Sequence, residues 1–416
     1  MIDSWLLKAE VKLASSATRA RLLRERRRCQ QRGWKVPAAK EVLRAPQGYE
    51  LLLMCQRFLG RPAPTALIDV GANTGYWAER FLRYIPATYV GIEPDRTTRP
   101  GLPVVVIGAG PTGLATAAHL LHRGLEPLVL EAGSQVGASV AEWRHVRLFS
   151  PWRFNLDPAS VRLLTAAGWR PPEPGELPTG GDLLDRYLRP LAALPALAAH
   201  VRLRHRVVTV TRRGVDKLSS AGRQELPFAV RVHAPGGERD LPARAGVDAS
   251  GTWGQPNPLG AAGIPAVGEP QASAAGKIVT GLPDILGADR ARFAGRRVLV
   301  VGAGYSAATS LLALVELRGQ APATEVVWAV RAAVPRLLGK GEDNELPARG
   351  RLAAGLASLL RRGEIELVTG FRTTSVSELA GGGLEVVGAR ERLKADLVVA
   401  ATGFRPDLGI GRELRL

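Results

Sequence analysis

Two glycine-rich turns, each between a predicted strand and a predicted helix, constrain the fold of this chain more than any other feature. They are formed by Gly108, Gly110 and Gly113, spaced G-x-G-x-x-G, and by Gly302, Gly304 and Ala307, spaced G-x-G-x-x-A. A strand, such a turn and a helix in this order can place the pyrophosphate of a dinucleotide at the helix N-terminus. Two units in series therefore predict an α/β chain with two Rossmann-like dinucleotide-binding domains.

The first turn has a glycine at each position where the pyrophosphate site needs one. Gly108 permits the tight turn, Gly110 lets the backbone approach the pyrophosphate, and Gly113 lets the helix pack closely on the strand. The continuous apolar run 104–107 predicts a buried parallel strand before this turn. Glu131 closes the next predicted strand, 127–130, about 20 residues on, where a carboxylate can bind ribose hydroxyls. These residues predict a dinucleotide site in the first unit.

The second turn differs from the first in two informative places. Ala307 replaces the third glycine, and its methyl group still permits close packing of helix on strand. Arg331 follows the predicted strand 325–330, where an acid would favour an unphosphorylated ribose. A guanidinium there suits a 2′-phosphate, because it is permanently charged and can bind phosphate through two hydrogen bonds. The pattern favours NADPH over NADH, and Arg336 is an alternative for the same role.

From about residue 101 onward the chain resembles the flavoproteins with two dinucleotide-binding domains. This family of FAD- and NAD(P)-dependent oxidoreductases includes the flavin monooxygenases. Besides the two turns, DASGTWGQPNP (248–258) and ATGFRPD (401–407) look like its two crossings between the flavin and nicotinamide domains. The stretch EWRHVRLFSPWRFNLDP (142–158) is similar to the flavin-side loop of monooxygenase-like members.

The resemblance implies an FAD-binding domain at 101–283, an inserted NAD(P)-binding domain at 284–394 and a return to the FAD domain at 395–416. It implies hydride transfer from NADPH to FAD, followed by reoxidation by O2 or another acceptor, with a small organic substrate in a monooxygenase-like reaction. No residue is identified as catalytic. The residues expected to contact the cofactors are Gly108, Gly110, Pro111, Thr112, Gly113, Glu131, Trp143, Arg147, Gly251, Gly302, Gly304, Tyr305, Ser306, Ala307, Arg331, Gly403 and Asp407.

Two departures from the sequence patterns of the family limit which of its reactions we expect. The chain has no C-x-x-C, and Cys29 and Cys55 both precede the flavoprotein-like region. A dithiol relay needs two thiols beside the flavin, so disulfide reduction is not expected. Phe293 and Gly295 begin a monooxygenase signature whose histidine and tryptophan are missing. An NADPH-dependent flavin reductase or oxidase that oxygenates no substrate, and an inactive truncated fusion, therefore stay open as alternatives.

The segment 1–98 has a different pattern. TALIDVGANTGYWAERFL (65–82) is a further strand, glycine turn and helix, and it resembles the start of an FkbM-like methyltransferase that uses S-adenosylmethionine. The residues that would form that site are Asp69, Gly71, Asn73, Gly75 and Glu93. The first flavin-type turn follows within a few residues, before the further strands that such an enzyme needs. We expect an incomplete fragment and no methyl transfer.

The end of the flavoprotein-like region is also expected to be short. The chain stops soon after ATGFRPD, whereas members of the family continue with a strand and helix that return to the flavin domain. Loss of that returning piece would weaken FAD binding.

Composition favours a cytoplasmic protein without a membrane span. No apolar run reaches the roughly 18 residues that cross a bilayer, and the N-terminus lacks a secretory pattern. The net charge is +18, and residues 1–100 hold 18 basic against 9 acidic side chains. We interpret this excess as a solvated surface, because no nucleic-acid-binding motif accompanies it.

His119 and His122 have no third ligand spaced near them, so no metal site is predicted.

Overall fold

In a computed structural model, residues 101–219, 221–335 and 347–414 are described. The methyltransferase-like segment, with Asp69, Gly71, Asn73, Gly75 and Glu93, lies outside these residues, and so does Arg336.

The strands of the described residues fall into two parallel and two antiparallel sheets. In chain order they are β1 (Val104–Ile107), β2 (Pro127–Leu130), β3 (Val201–Arg202), β4 (Arg206–Arg212), β5 (Phe228–Ala234), β6 (Gly237–Ala243), β7 (Ala245–Asp248), β8 (Ile278–Thr280), β9 (Arg297–Val301), β10 (Glu325–Ala329), β11 (Glu366–Val368), β12 (Ser375–Glu378), β13 (Leu384–Val387), β14 (Arg392–Ala395) and β15 (Leu397–Ala400).

Most helices of the described residues are short. They are α1 (Pro111–His122), α2 (Ala138–Glu142), α3 (Pro158–Ala166), α4 (Gly180–Leu183), α5 (Arg189–Ala193), α6 (Pro195–Ala198), α7 (Glu269–Ala274), α8 (Arg290–Phe293), α9 (Tyr305–Gln320) and α10 (Pro347–Arg361). A π-helical turn at Leu184–Leu188 joins α4 to α5, and 3₁₀ turns lie at Trp152–Phe154, Arg223–Glu225 and Leu408–Gly411. No helix in this part of the chain has the length and apolar character to cross a membrane.

The two parallel sheets confirm the predicted α/β class. The first has the order β3-β2-β1-β7 and the second the order β11-β10-β9-β15-β8. The strands that precede the glycine turns, β1 and β9, are central in their sheets and are buried on both faces, as their continuous apolar runs predict. Each glycine turn directly follows the carboxyl end of its central strand. Both turns therefore lie at the end of the sheet where doubly wound folds bind ligands.

Each parallel sheet has helices on one face and an antiparallel sheet on the other. On the first sheet, Val104 and Val106 pack with α1 and α3, while Val105 and Ile107 pack with β4 and β5. On the second sheet, β9 likewise contacts α9 and α10 on one face and the sheet β12-β13-β14 on the other. The two units therefore repeat one layered plan.

The second unit is larger than the predicted range 284–394. Strands β8 and β15 belong to its sheet, because Val398 pairs with Leu299 of β9 and with Ile278 of β8. The domain boundaries at 284 and 394 need correction to include them. An isolated apolar run does not reveal which of two parallel sheets it joins, since both sheets accept the same residue types.

After β15 the chain does return to the first unit. Ile410 is buried in a cluster with Val105 and Ile107. Arg223 donates a hydrogen bond to the carbonyl of Glu413 at 2.7 Å, and Lys217 donates one to that of Arg412 at 3.2 Å. The described residues thus contain a return to the first unit, which the sequence left in doubt.

Candidate functional site

The three glycines of the first turn differ in what the fold requires of them. Gly108 has φ +97°, and a Cβ there would lie 2.7 Å from the carbonyl oxygen of Ala249. A Cβ at Gly113 would lie 1.9 Å from the carbonyl oxygen of Gly108. Gly110 has φ −79°, and no atom of the described part of the chain lies within 4 Å of a Cβ placed there. The fold itself needs the first and third glycines, whereas the second leaves open space against the backbone.

The N-terminus of α1 borders this open space. Gly110 is the N-cap residue and supplies no side-chain cap, Pro111 lacks an N–H, and the first turn has no acidic side chain. The N–H groups of Thr112 and Gly113 are among those that an α-helix leaves without an intrahelical acceptor. Together with the positive end of the helix dipole, they suit a phosphate group.

Glu131 lies beside the same turn. Its buried carboxylate accepts hydrogen bonds from the N–H of Ala109 at 2.8 Å and from the N–H of Gly133 at 2.7 Å. These bonds use one lone pair on each oxygen, and a carboxylate has about four acceptor positions. Glu131 therefore holds the turn in place and retains capacity for ribose hydroxyls.

The second turn repeats the geometry of the first. Gly302 has φ +138°, and a Cβ there would lie 2.1 Å from the carbonyl oxygen of Ala401. Gly304 again faces open space. Ala307 is fully buried, and α9 begins at Tyr305 and Ser306 without a side-chain cap. The structure thus contains two similar cradles that a Cβ at Gly110 or Gly304 would fill.

Arg331 lies near the second cradle. It follows β10, whose Ala329 pairs with Val301 and accepts a hydrogen bond from the N–H of Gly302 at 3.1 Å. Arg331 is exposed. A permanently charged, accessible guanidinium at this strand end fits a phosphate on the ribose of a dinucleotide.

The two predicted crossing segments lie against each other. Asn257 donates its N–H to the carbonyl of Gly403 at 2.8 Å, and Arg405 donates its N–H to that of Gln255 at 3.0 Å. The Thr402 hydroxyl donates to the carbonyl of Asn257 at 2.5 Å. Backbone and side chains therefore join residues about 150 positions apart into one connection between the units.

Aromatic side chains reinforce this connection. Trp253 and Phe404 stack with ring centroids 4.8 Å apart and an angle of 24° between planes. Trp143 of the loop 142–158 lies 6.5 Å from the Trp253 ring, and the Trp253 Nε1 donates to the Glu142 carboxylate at 2.8 Å. The predicted contact residue Trp143 thus lies beside the first crossing, whose Trp253 in turn stacks on the second.

Other predicted contact residues have local structural partners. Arg147 donates to the carbonyl of Leu177 at 2.7 Å, and the Asp407 carboxylate accepts from the N–H of Gly409 at 2.9 Å. Gly251 and Gly403 have φ +74° and +87°, which favours glycine at both crossing segments. Their contacts with a flavin stay predictions.

One cluster had no signal in the sequence. Phe149 of the loop 142–158 lies 5.2 Å from Tyr305, the first residue of α9, between ring centroids. The guanidinium carbon of Arg349 lies 4.9 Å from the Tyr305 ring and 5.8 Å from the Phe149 ring. These residues are far apart in sequence, and no motif relates them.

A family model described as pyridine nucleotide-disulphide oxidoreductase matches residues 102–414. The 15-cis-phytoene desaturase of Narcissus pseudonarcissus is 35% identical over 111 residues, which are 26% of this chain and 17% of the desaturase. The chain therefore spans less than a fifth of that relative.

Solved structures share the fold over three quarters of the chain. A bacillithiol disulfide reductase from Bacillus cereus has a TM-score of 0.56 at 21% identity, covering 74% of this chain and 80% of the reductase. The FAD-bound cadaverine monooxygenase of the desferrioxamine pathway from Erwinia amylovora has a TM-score of 0.53 at 16% identity, covering 75% and 81%.

Proposed function

The chain belongs to the pyridine nucleotide-disulphide oxidoreductase family and is an FAD-dependent oxidoreductase, and we propose that it takes hydride from NADPH and oxygenates a small organic substrate. The overall reaction would consume NADPH, a proton and O2, place one oxygen atom in the substrate and release the other as water. When bound, FAD supplies the chemistry of accepting a hydride and reacting with oxygen.

The observation that carries this proposal is the pair of similar cradles. The open space at Gly110 and Gly304 fits two dinucleotides, and the paired crossing segments hold the two units in one arrangement. In the first unit, the N-terminus of α1 would bind the FAD pyrophosphate and Glu131 the adenosine ribose. In the second, Arg331 would bind the 2′-phosphate of NADPH.

Oxygenation is favoured over disulfide reduction by the distribution of cysteine. The matched region 102–414 contains no cysteine, since Cys29 and Cys55 precede it. A relay of electrons from flavin to a disulfide substrate needs protein thiols beside the flavin.

A test begins with the absorbance of the purified full chain after incubation with FAD. We expect a retained flavin spectrum that bleaches when NADPH is added without oxygen, and that bleaches more slowly with NADH.

In air, NADPH consumption, O2 consumption and hydrogen peroxide are then measured with a panel of small amines and thioethers. Oxygenated product with little peroxide supports the proposal. Stoichiometric peroxide with every compound would identify an oxidase instead, and failure to bleach would remove NADPH as the donor.

A further inference from the structure

Arg349, the third residue of α10, carries a buried donor for which the described residues provide no acceptor. Its Nε atom is buried and has no hydrogen-bond partner among the described residues. The guanidinium contacts the rings of Phe149 and Tyr305. A buried donor without an acceptor is costly in a folded protein. The arrangement is therefore what a protein shows when the acceptor belongs to a ligand.

The position of Arg349 indicates which ligand that is. Tyr305 begins α9 and directly follows Gly304, the open position of the second cradle. The Arg349 guanidinium carbon lies 4.9 Å from the ring of this first residue of α9, and the N-terminus of α9 has no side-chain cap. An anion at that N-terminus would be attracted both by the positive end of the helix dipole and by the Arg349 charge.

We propose that Arg349 binds the pyrophosphate of the nicotinamide dinucleotide, a role separate from that of Arg331 toward the 2′-phosphate. This inference rests on the proposed use of NADPH. Contact with the Phe149 and Tyr305 rings restricts the guanidinium, which lowers the entropy lost on binding. Because NADH and NADPH share the pyrophosphate, Arg349 should contribute to the binding of both.

The same packing links the two units. Phe149 belongs to the loop 142–158 of the first unit, whereas Tyr305 and Arg349 belong to the second. The cation that binds the dinucleotide is thereby held in part by a residue of the FAD-binding unit. Arg349 is a binding residue in this proposal, and Phe149 is a positioning residue.

The test compares Arg349→Met with Arg351→Met, a matched loss of an exposed arginine on the same helix. Methionine keeps an apolar stem against the two rings and removes the charge. Binding of NAD+ and of NADP+ to the oxidised, FAD-loaded protein is measured by calorimetry, with FAD content and circular dichroism as controls for folding. We expect Arg349→Met to weaken both dinucleotides by a similar factor of about ten or more, as loss of a charged hydrogen bond does, and Arg351→Met to change neither.

A second variant keeps the test informative if Arg349→Met does not fold. Arg349→Lys retains a cation and should bind both dinucleotides with intermediate affinity. Wild-type affinity in Arg349→Met would overturn the inference while leaving the proposed function intact. Weakening of NADP+ alone would overturn it too, because Arg349 would then contact the 2′-phosphate. A wild-type protein that holds FAD but binds neither dinucleotide would overturn the inference and the proposed use of NADPH together.

Discussion

At the scale of single residues, the glycines of a turn are needed for two different reasons: close packing within the protein and room for a ligand. Gly108 and Gly113 are required by backbone contacts within the protein, because a Cβ at either position would meet a carbonyl oxygen. A Cβ at Gly110 would meet no atom of the described residues within 4 Å, so the missing side chain leaves room for a ligand. Stability and cofactor affinity can therefore be separated by substitution within one motif.

The matched pair Gly110→Ala and Gly113→Ala tests this separation. Gly113→Ala should destabilise the fold by about 1–3 kcal/mol, the usual cost of forcing a methyl group into packed space. Gly110→Ala should change the unfolding free energy by only about 0.5 kcal/mol, yet weaken FAD binding at least about tenfold. Thermal unfolding of the apoprotein and titration with FAD measure the two quantities. Wild-type FAD affinity in Gly110→Ala would remove the assigned pyrophosphate site.

Arg331 provides the second prediction at this scale. Arg331→Ala should weaken NADPH binding by about 10- to 100-fold, because charged hydrogen bonds to a phosphate contribute about 1.5–3 kcal/mol. NADH, which lacks the 2′-phosphate, should bind as it does to the wild type. Calorimetry with both dinucleotides gives the comparison, and Arg336→Ala serves as the alternative variant. Equal losses for both dinucleotides would contradict the preference for NADPH.

At the scale of elements, Asp157 attaches α3 to the helix of the first glycine turn. Its carboxylate caps α3 by accepting from the N–H of Ser160 at 2.8 Å, and its other oxygen bonds His119 of α1 at 2.9 Å. Burial works to raise the pKa of Asp157, but hydrogen bonds from His119 and Ser160 outweigh it, so the pKa lies below its ordinary value of 3.8. The charged form is therefore favoured by folding.

This direction predicts how the stability contributed by Asp157 depends on pH. Because the folded pKa is the lower one, the contribution is complete above pH 3.8 and is lost as the pH falls through the folded pKa. At pH 7, Asp157→Ala should lower the unfolding free energy by about 1–2 kcal/mol, the usual cost of losing a helix cap. Unfolding of wild type and variant, compared at pH 7 and at successively lower pH, should show this difference shrinking. A difference independent of pH would contradict the assignment.

At the scale of the whole molecule, two units of the same plan are joined by two crossings that contact each other. In both units the turn glycine lies against the residue that follows the neighbouring strand, Ala249 after β7 and Ala401 after β15. Ala249 is the second residue of the first crossing segment, and Ala401 is the first residue of the second. The geometry of each cradle is therefore coupled to the connection between units, where Trp253 stacks on Phe404.

Loss of the Trp253–Phe404 stack should lower the rate of hydride transfer between the two units more than it lowers the affinity of either unit for its dinucleotide. Aromatic stacking contributes about 0.5–1.5 kcal/mol beyond buried area. We expect Phe404→Ala to slow anaerobic flavin reduction by NADPH about fivefold or more, an effect of misplacing the two reactants. The affinities for FAD and NADP+ should change less than about twofold. Phe154→Ala, which removes a ring that is 44% exposed, is the control. An unchanged reduction rate in Phe404→Ala would show that the stack does not set the arrangement.

Much of the local structure could be predicted because it depends on neighbouring residues. The strand Val104–Ile107 has the predicted bounds, since its continuous apolar run requires burial on both faces. The same holds for Pro127–Leu130, and the strand predicted at 325–330 is observed at Glu325–Ala329. The helices after both turns begin where the glycine spacing predicts. The domain boundaries could not be predicted, because β8 and β15 join a sheet through partners remote in sequence.

The sequence by itself determined the two glycine turns, the α/β class and the absence of a cysteine pair from the matched region, because these follow from residue identity and short-range spacing. Only the tertiary structure decided which strands share a sheet, how the crossing segments pair, and that Arg349 contacts the rings of Phe149 and Tyr305. Those contacts join segments separated by tens to hundreds of residues, and they form because packing and hydrogen bonding select them from many arrangements that the local pattern permits.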